Sequence, residues 1–490
     1  MTTPNAPANG RTPANTSQPE ASVELAVVGI GASAGGFEAV IEIVRALPLD
    51  IRFALGIVLH LSPDRPTALP RLLAAGTRLT VVQAEDGMPL EAGHIYVIPP
   101  NSIMEIDGAR VCLRARSASP SPHPIDSLFQ SMARVLGPRA TGVVLSGTGS
   151  DGALGLIAIK EAGGFALTQQ PETAKFDGMP RAAIETGAVD LILSPQDIAA
   201  HLADIGNHPY VSAAPEAEPA SAWLSAAQRE ELSALLQATS GVDFRHYKTP
   251  TINRRFMRRM ALARLSEPAS YLQLLREKPE EVLNLYKDLL IHVTRFFREP
   301  ESFDALKARA LPPLLEARRG DAPIRCWVVG CSTGEEAYSL AITIFETLGD
   351  KAESTPIQIF ATDISAGAVE FARQGLYPPR ITDAVSPERL RRFFTRSDPG
   401  YRIARAVRAA CVFADQDVTR DPPFSRLDLI LCRNVLIYMD AALQDRVLRT
   451  FAFALKPGGF LMLGRAEALG AQGGVFTVVD KHHKIFRKEQ

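Results

Sequence analysis

The sequence predicts an α/β protein with two doubly wound, mostly parallel sheets, the second preceded by a helical subdomain. Three observations predict it. Between residues 24 and 204, short β-rich apolar runs alternate with helix-length amphipathic patterns, the arrangement that builds βαβ units. From Trp223 to Arg319 the pattern is helical throughout, and strand–helix alternation then resumes. Between these halves, residues 206–222 (GNHPYVSAAPEAEPASA) follow neither the helical nor the strand period and read as a linker.

In chain order, LAVVGIG is a strand running into the helix GGFEAVIEIVRALP, followed by the strand RFALGIVLHLSP. TGVVLSG, the helix ALGLIAIKEAG and the strand GFALTQQ continue the pattern. Runs this continuously apolar suit a parallel sheet covered on both faces. In the second half, 223–310 is the helical subdomain, and IRCWVVG, IQIFATDIS, LDLILCRNVLIYM and FLMLGRAE are the strands of the domain 311–487. No internal repeat interrupts this order.

Composition bounds the function. The 490 residues are 46% apolar and 22% charged, with 53 Lys+Arg against 54 Asp+Glu. A net charge of −1 supplies no global field for nucleic-acid phosphates, and no nucleic-acid partner is expected. No apolar run approaches the ~18 residues needed to cross a bilayer, so membrane insertion is not expected. Residues 1–22 are polar and proline-rich without an apolar signal core, which predicts a disordered tail. The five cysteines, at 112, 326, 331, 411 and 432, include no C-x-x-C pair. That excludes a disulfide framework and a structural zinc site, predicts no metal, and fits a reducing cytoplasm.

The first strand runs into Gly29-Ile30-Gly31-Ala32-Ser33-Ala34-Gly35-Gly36. One reading is a dinucleotide turn, but its expected acidic partner at the end of the second strand is replaced by His60, with Asp64 already beyond Pro63. The other reading makes Ser33 a nucleophile. A serine hydroxyl needs an adjacent base oriented by a third group. His60 at the neighbouring strand end is the candidate base, and Asp151 in LSGTGSDG is the third member. Amides of the Ser33 turn and the helix dipole are the expected oxyanion donors.

GIGASAGG, VLHLSPD, IYVIPPN, LSGTGSDGALGL, AGG and KFDGMPRAAI, in that order over residues 24–204, resemble the chemotaxis-type (CheB-type) protein-glutamate methylesterase domain. The resemblance places the family's catalytic serine, histidine and aspartate at Ser33, His60 and Asp151. It implies hydrolysis of receptor glutamate methyl esters, often with deamidation of glutamines. Ala34 and Thr148 stand where many members have threonine and methionine. The family's receiver domain has no counterpart ahead of the first strand, so gating by phosphorylation within this chain is not expected.

In the second half, IRCWVVG ends in Gly330-Cys331-Ser332-Thr333-Gly334-Glu335-Glu336, and the next strand ends in Asp363, placed to accept from ribose hydroxyls. There is no P-loop. Two glutamates at the turn repel pyrophosphate but suit an adenosyl ligand bearing an ammonium and a sulfonium. HVTRFFRE, GCSTGEEAYS, ATDIS, DPPFSRLDLILCRNVLIYM and LKPGG, within 223–487, resemble the chemotaxis-type (CheR-type) protein-glutamate O-methyltransferase. That resemblance implies a class I S-adenosylmethionine-dependent fold. It places cofactor contacts at His292, Thr294, Arg298, Glu335, Asp363, Asp417, Val418, Arg433 and Asn434. It also puts Tyr438 near the transferred methyl, with Arg298 and Tyr438 positioning the acceptor. Members often carry asparagine where His292 and Asp417 stand.

Residues 245–264 (RHYKTPTINRRFMRRMALAR) hold basic but no acidic residues. They read as a basic helix, either a solvated face or, since the methyltransferase resemblance places the corresponding helix near the acceptor groove, a dock for a glutamate-rich receptor helix through Arg254, Arg255, Arg258 and Arg259, which is the preferred reading. The whole chain is thus expected to be a cytoplasmic bifunctional enzyme acting on a methyl-accepting chemoreceptor or similar sensory protein. The alternative is a sensory scaffold in which one half binds without catalysing.

Overall fold

The computed structural model describes residues 25–60, 68–116, 123–212, 223–290, 294–317, 322–352, 354–397 and 400–489. It divides into two units, Met1–Glu218 with Met260–Ser266, and Pro219–Arg259 with Glu267–Gln490. The 1–22 tail lies outside the described residues.

In the first unit β1 (Ala26–Ala32) is buried along its whole length, as a strand covered on both faces must be. It is followed by α1 (Gly36–Ala46), β2 (Phe53–Leu59), α2 (Leu69–Ala74), β3 (Thr80–Gln83) and β4 (His94–Val97). A hairpin of β5 (Ser102–Asp107) and β6 (Arg110–Ala115) then leads to α3 (Pro124–Leu136), β7 (Ala140–Val144), α4 (Ala153–Glu161) and β8 (Phe165–Gln169). The unit continues through α5 (Gly178–Glu185), β9 (Leu191–Leu193), α6 (Pro195–Asn207) and α7 (Pro209–Ser212). The sheet order is β3-β4-β2-β1-β7-β8-β9, all pairs parallel. Alternate β1 residues feed different cores: Val28 and Ile30 pack with Val40 and Ile43 of α1 and Leu202 of α6, while Val27 packs with Leu128, Phe129 and Met132 of α3. Strand order reverses at β1, so the crevice outside the carboxyl ends of β1 and β7 is a topological switch point.

Two features depart from the sequence reading. Residues 206–212, read as linker, are helical except for the extended His208: α6, capped by the Ser194 hydroxyl and with Pro195 in its first turn, runs to Asn207, and α7 follows from Pro209. The remaining 213–222 lie outside the described residues. The β5–β6 hairpin adds to the sequence reading, although Asp107-Gly108, with Gly108 at φ 54° the first residue of the two-residue turn, is a hairpin signal.

The second unit takes in α8 (Ala226–Ser240), α9 (Thr249–Leu262) as far as Arg259, α10 (Pro268–Glu277), α11 (Pro279–Leu289), α12 (Pro300–Arg309) and α13 (Leu311–Glu316), in agreement with the helical pattern. A capping box between Ser225 and Gln228 starts α8. Then come β10 (Ile324–Val329), α14 (Glu335–Leu348), β11 (Ile357–Asp363), α15 (Ala366–Gln374), β12 (Leu376–Tyr377), α16 (Pro387–Phe393), β13 (Phe394–Ser397) and β14 (Gly400–Ile403). The last elements are α17 (Arg405–Ala409), β15 (Cys411–Asp415), β16 (Leu427–Cys432), α18 (Ala441–Ala454), β17 (Leu455–Leu463), β18 (Phe476–Asp480) and β19 (Ile485–Lys488). Its main sheet runs β15-β11-β10-β16-β17-β19-β18, parallel except for the pairs made by β19, and β12-β14-β13 form a separate antiparallel sheet. Here the order reverses at β10, placing the crevice between the loops after β10 and β16.

Candidate active sites

The first crevice assembles Ser33, His60 and Asp151 from three strand ends. Ser33 follows β1 and His60 follows β2, joined by the His60 amide donating to Ala32 O at 3.2 Å. His60 Nδ1 lies 3.1 Å from Ser33 Oγ, and His60 Nε2 lies 2.9 Å from Asp151 Oδ2. An ionised carboxylate only accepts, so Nε2 carries the hydrogen and Nδ1 is the nitrogen open to the serine proton. The serine-protease arrangement uses the two nitrogens the other way round. Asp151 is buried and also accepts from the Ile125 and Asp126 amides at 3.1 and 2.9 Å.

The turn is braced from β7. Ser146 O accepts from the Ser33 amide at 3.0 Å, and the Ser146 hydroxyl reaches Ala34 O at 3.2 Å. Gly147 must be glycine here, since a Cβ would fall 2.7 Å from Ser33 Cβ and 2.2 Å from Met179 Sδ. The Ser33 amide, expected among the oxyanion donors, is therefore committed to Ser146. Among the described residues no acceptor bonds the Ala34 or Gly35 amide, which leaves these as the donors the turn offers. Ala34 and Thr148, the two departures noted in the sequence, are both exposed at this mouth. The loop 61–67 with Asp64 lies outside the described residues.

The second crevice is shaped by strained backbone. Ser332 and Asn434 hold positive φ of 49° and 60°, as do Phe297 and Glu299, at 49° and 58°, on either side of Arg298. Such conformations persist only where the surroundings fix them. Gly334, at φ 95°, opens α14 where a Cβ would meet Ala372 Cβ at 2.8 Å. Asp363 ends β11 and accepts the Ser332 amide at 2.8 Å and the Ser365 amide at 2.9 Å, one on each oxygen. Glu335 accepts from the Thr333 hydroxyl at 2.6 Å. Asp417 accepts the Thr419 amide and hydroxyl at 2.8 and 2.6 Å. Val418 packs against the core formed by Trp327 and α18, and Thr294 is half-buried. His292 lies outside the described residues.

Four buried polar atoms in these loops, Ser332 Oγ, Gln416 Oε1, Arg433 Nε and Asn434 Oδ1, have no hydrogen-bond partner among the described residues. Buried orphans of this kind mark places where a polar ligand completes the bonding. The residues present therefore fit a hydroxyl- and amine-bearing adenosyl group. Tyr247 and Tyr286, which the sequence did not single out, belong to the same cleft. Burial pushes both phenols up, Tyr286 to about 12, and the charges of Asp363 and Asp417 push the same way. Burial likewise raises Tyr438, opposed by the nearby Arg255 and Arg298 cations. Arg298 and Tyr438 thus share one end of the site.

Arg433 is held by the protein through its two terminal nitrogens. Its guanidinium, almost fully buried, donates to Glu336 at 3.0 Å, Glu299 at 2.9 Å and Arg298 O at 3.0 Å. It pins the strained segment around Arg298, and Glu336 faces inward to it instead of lining the turn. Glu467, also missed by the sequence reading, accepts the Asn434, Val435, Leu436 and Gly464 amides at 3.1, 2.9, 2.8 and 2.6 Å. Burial pushes its carboxyl up, and these four amides oppose the shift.

The basic helix is not the open cationic face the sequence suggested. Arg258 is fully buried and donates to Asp288 at 2.6 Å, and Arg259 pairs with Glu281 through two bonds of 2.8 and 2.6 Å. Arg255 is buried as well, and only Arg254 of the four is exposed. Arg258 and Arg259 are neutralised by carboxylates of α11, whose identity no local pattern in 245–264 reveals. No helix among the described residues is long and apolar enough to cross a membrane.

Comparison with known proteins places families on this geometry. Residues 28–202 match the CheB methylesterase family, 227–290 the CheR methyltransferase all-alpha domain, and 292–485 the CheR methyltransferase SAM binding domain. The chain is 37% identical over 435 residues to an uncharacterized 104.1 kDa protein of Rhodobacter capsulatus, covering 85% of this chain and 46% of that protein. It therefore spans less than half of that relative. It is 30% identical to chemotaxis protein methyltransferase 2 of Vibrio cholerae, over 51% of this chain and 86% of the relative. It is 41% identical to protein-glutamate methylesterase/protein-glutamine glutaminase 6 of Anaeromyxobacter dehalogenans, over 36% of this chain and 53% of that protein.

Proposed function

The chain belongs to the chemotaxis methyl-modifying enzymes, with a CheB methylesterase domain ahead of a CheR methyltransferase domain that binds S-adenosylmethionine, and on that premise we propose that the two halves write and erase methyl esters on glutamates of a methyl-accepting chemoreceptor. The observation that carries the erasing half is the hydrogen-bonded chain Ser33–His60–Asp151. In this reading Ser33 Oγ attacks the ester carbonyl while His60 Nδ1 takes its proton and Asp151 steadies the imidazolium. The Ala34 and Gly35 amides meet the oxyanion. His60 then returns the proton to the leaving methoxide, releasing methanol. Water activated by the same imidazole frees the glutamate. A glutamine side chain enters the same cycle with ammonia leaving.

For the writing half, Asp363 is suited to the ribose hydroxyls, and Glu335, Asp417, Val418, Arg433 and Asn434 to the rest of the adenosyl group. Thr294 completes the proposed set, and His292 remains a candidate from the sequence alone. When bound, S-adenosylmethionine supplies an electrophilic methyl on a sulfonium. A glutamate acceptor, with a pKa near ~4.3, arrives ionised and needs no general base. Arg298 and Tyr438 therefore act by orienting the acceptor and excluding water. Docking of an acidic receptor helix near α9 is left to Arg254 and its surroundings, because Arg258 and Arg259 are internal.

The test uses the full chain, a receptor cytoplasmic fragment and methyl-labelled S-adenosylmethionine, read by mass spectrometry. Ser33→Ala retains labelling and loses ester hydrolysis; Asp363→Ala loses labelling and retains hydrolysis. A scaffold with one silent half gives the same result for wild type and one of these variants, and that outcome would remove the corresponding activity from the assignment.

A further inference from the structure

Helices α3 and α4 exchange their N-terminal caps. Neither helix is capped by its own sequence: His123 and Gly152, at the N-cap positions, make no side-chain cap bond. Instead Asp151, just ahead of α4, accepts the Ile125 and Asp126 amides in the first turn of α3, while Asp126 of α3 accepts the Gly155 amide in the first turn of α4 at 2.6 Å. First-turn amides have no partner inside their own helix, so each carboxyl satisfies donors the other helix leaves open. Both aspartates are buried, at 5% exposure each. His123 stands beside the pair, with Nδ1 3.8 Å from Asp151 Oδ1. Two carboxyls thus stand behind His60, only one of which touches it.

We propose that Asp126 is a positioning residue of the esterase: it anchors the helix that follows Asp151, and its ionisation adds a second negative charge behind the imidazolium that forms when His60 takes the Ser33 proton. The inference rests on the esterase reading of the triad. Burial pushes the Asp126 carboxyl up to about 7, the Asp151 charge adds to that, and the Gly155 amide, His123 and the Gly152 amide oppose it. Other charged groups on the packed elements are engaged elsewhere or turned outward. Lys160 of α4 pairs with Asp190, Glu105 of β5 pairs with Arg114, and Asp107 and Glu161 are exposed. Arg139, after α3, is buried. The segments β1, β2 and β7 facing α3 carry no charged residue. As pH rises through about 7, Asp126 loses its proton and the site gains a charge that stabilises the cationic transition state.

The experiment measures esterase kcat and KM from pH 5.5 to 8.5 on the full chain. Asp126→Asn keeps an oxygen for the Gly155 amide but cannot ionise. The ratio of wild-type to Asp126→Asn kcat is expected near one at pH 5.5 and on the order of tenfold at pH 8.5, the equivalent of about 1.4 kcal/mol. KM is expected to change less than about twofold, since the substrate does not touch Asp126. Asp126→Ala, which removes the acceptor too, loses rate at every pH. His123→Lys, at an exposed position, keeps a cation beside Asp126 throughout and moves the inflection of the profile to lower pH, so the idea stays testable even if the Asp126 variants fold poorly. A ratio that stays constant with pH, or a His123→Lys profile that superposes on wild type, overturns the proposal. Loss of hydrolysis in Ser33→Ala with wild type active shows separately that the esterase reading stands; an inactive wild type would fail that reading instead.

Discussion

Replacing Arg258 by methionine removes a guanidinium that is fully buried and bonded to Asp288 at 2.6 Å. The apolar stem is roughly preserved, so the main consequence is a carboxylate held at 8% exposure without its Arg258 partner. Breaking a buried ion pair from one side costs about 3–5 kcal/mol, because the remaining charge has lost both water and its counter-ion. For a domain of this size each kcal/mol lowers the melting temperature by about 2–4 °C, so the expected drop is on the order of 10 °C. Both tryptophans, Trp223 and Trp327, belong to the second unit, so a tryptophan-fluorescence melt of the full chain reads that unit. Arg258→Met combined with Asp288→Asn should recover part of the loss, since a neutral amide tolerates burial better than an isolated carboxylate. Arg254→Glu, at the exposed position, should stay within about 0.5 kcal/mol of wild type. If Arg258→Met melts with wild type, the helix is a solvated basic face after all, and its charge is available to a receptor.

Asp363→Ala should weaken S-adenosylmethionine binding by on the order of 100-fold in calorimetric titration, the scale of lost bonds to a charged acceptor, while ester hydrolysis is unchanged. Glu467→Gln places an amide with a single acceptor oxygen against four backbone donors; methyl transfer should fall and the second unit lose about 1–3 kcal/mol in the fluorescence melt. Asp126 also links pH to stability with the sign opposite to that of a salt-bridged aspartate. Burial raises its folded pKa to about 7, above the ordinary carboxyl value of 3.8, so the folded state holds a proton the unfolded chain has released, and its stabilisation is lost as pH rises between those values. Asp126→Asn should therefore gain on wild type across that window, up to a ceiling of about 4 kcal/mol, in amide hydrogen exchange of α3 and α4 compared at matched pH. A constant difference would refute the raised carboxyl.

What the sequence disclosed follows from which constraints are local. Ser33, His60 and Asp151 sit at strand ends on one edge of a parallel sheet, and glycine clusters announce the turns that bring the backbone there. Asp363 is legible for the same reason. Asp126 reads as an ordinary acidic residue in a first helical turn, because what buries it is α4, whose Gly155 lies 29 residues away. Glu467 is equally opaque in GRAEAL, since its donors come mostly from a loop about thirty residues upstream. The basic helix is different. Arg255, Arg258 and Arg259 lie at i, i+3 and i+4 and so share one stripe of α9, a signal that they face a common surface rather than ring the helix. Charge counting over 245–264 hid that spacing. The identity of the partner carboxylates on α11 needed the fold.

Both units put their chemistry at the same address, the crevice where strand order reverses, yet they arrange charge oppositely. In the first, Asp126 and Asp151 gather behind an imidazole, suited to a step that creates a cation on His60. In the second, Arg255 and Arg298 gather at Tyr438, while Glu335, Asp363 and Asp417 occupy the other loops. This is the polarity wanted by an anionic acceptor meeting a cationic donor. The proposed transfer step begins from a carboxylate already ionised above about pH 5, so no proton has to leave at the chemical step. The proposed hydrolysis begins from a neutral serine and depends on a base. The two half-reactions of one preparation should accordingly separate with pH on the same acceptor: methyl transfer nearly flat from pH 6 to 8.5, ester hydrolysis climbing through about 7. Transfer that tracks hydrolysis across that range would mean a titrating base in the second crevice, and the positioning role given to Arg298 and Tyr438 would have to be abandoned.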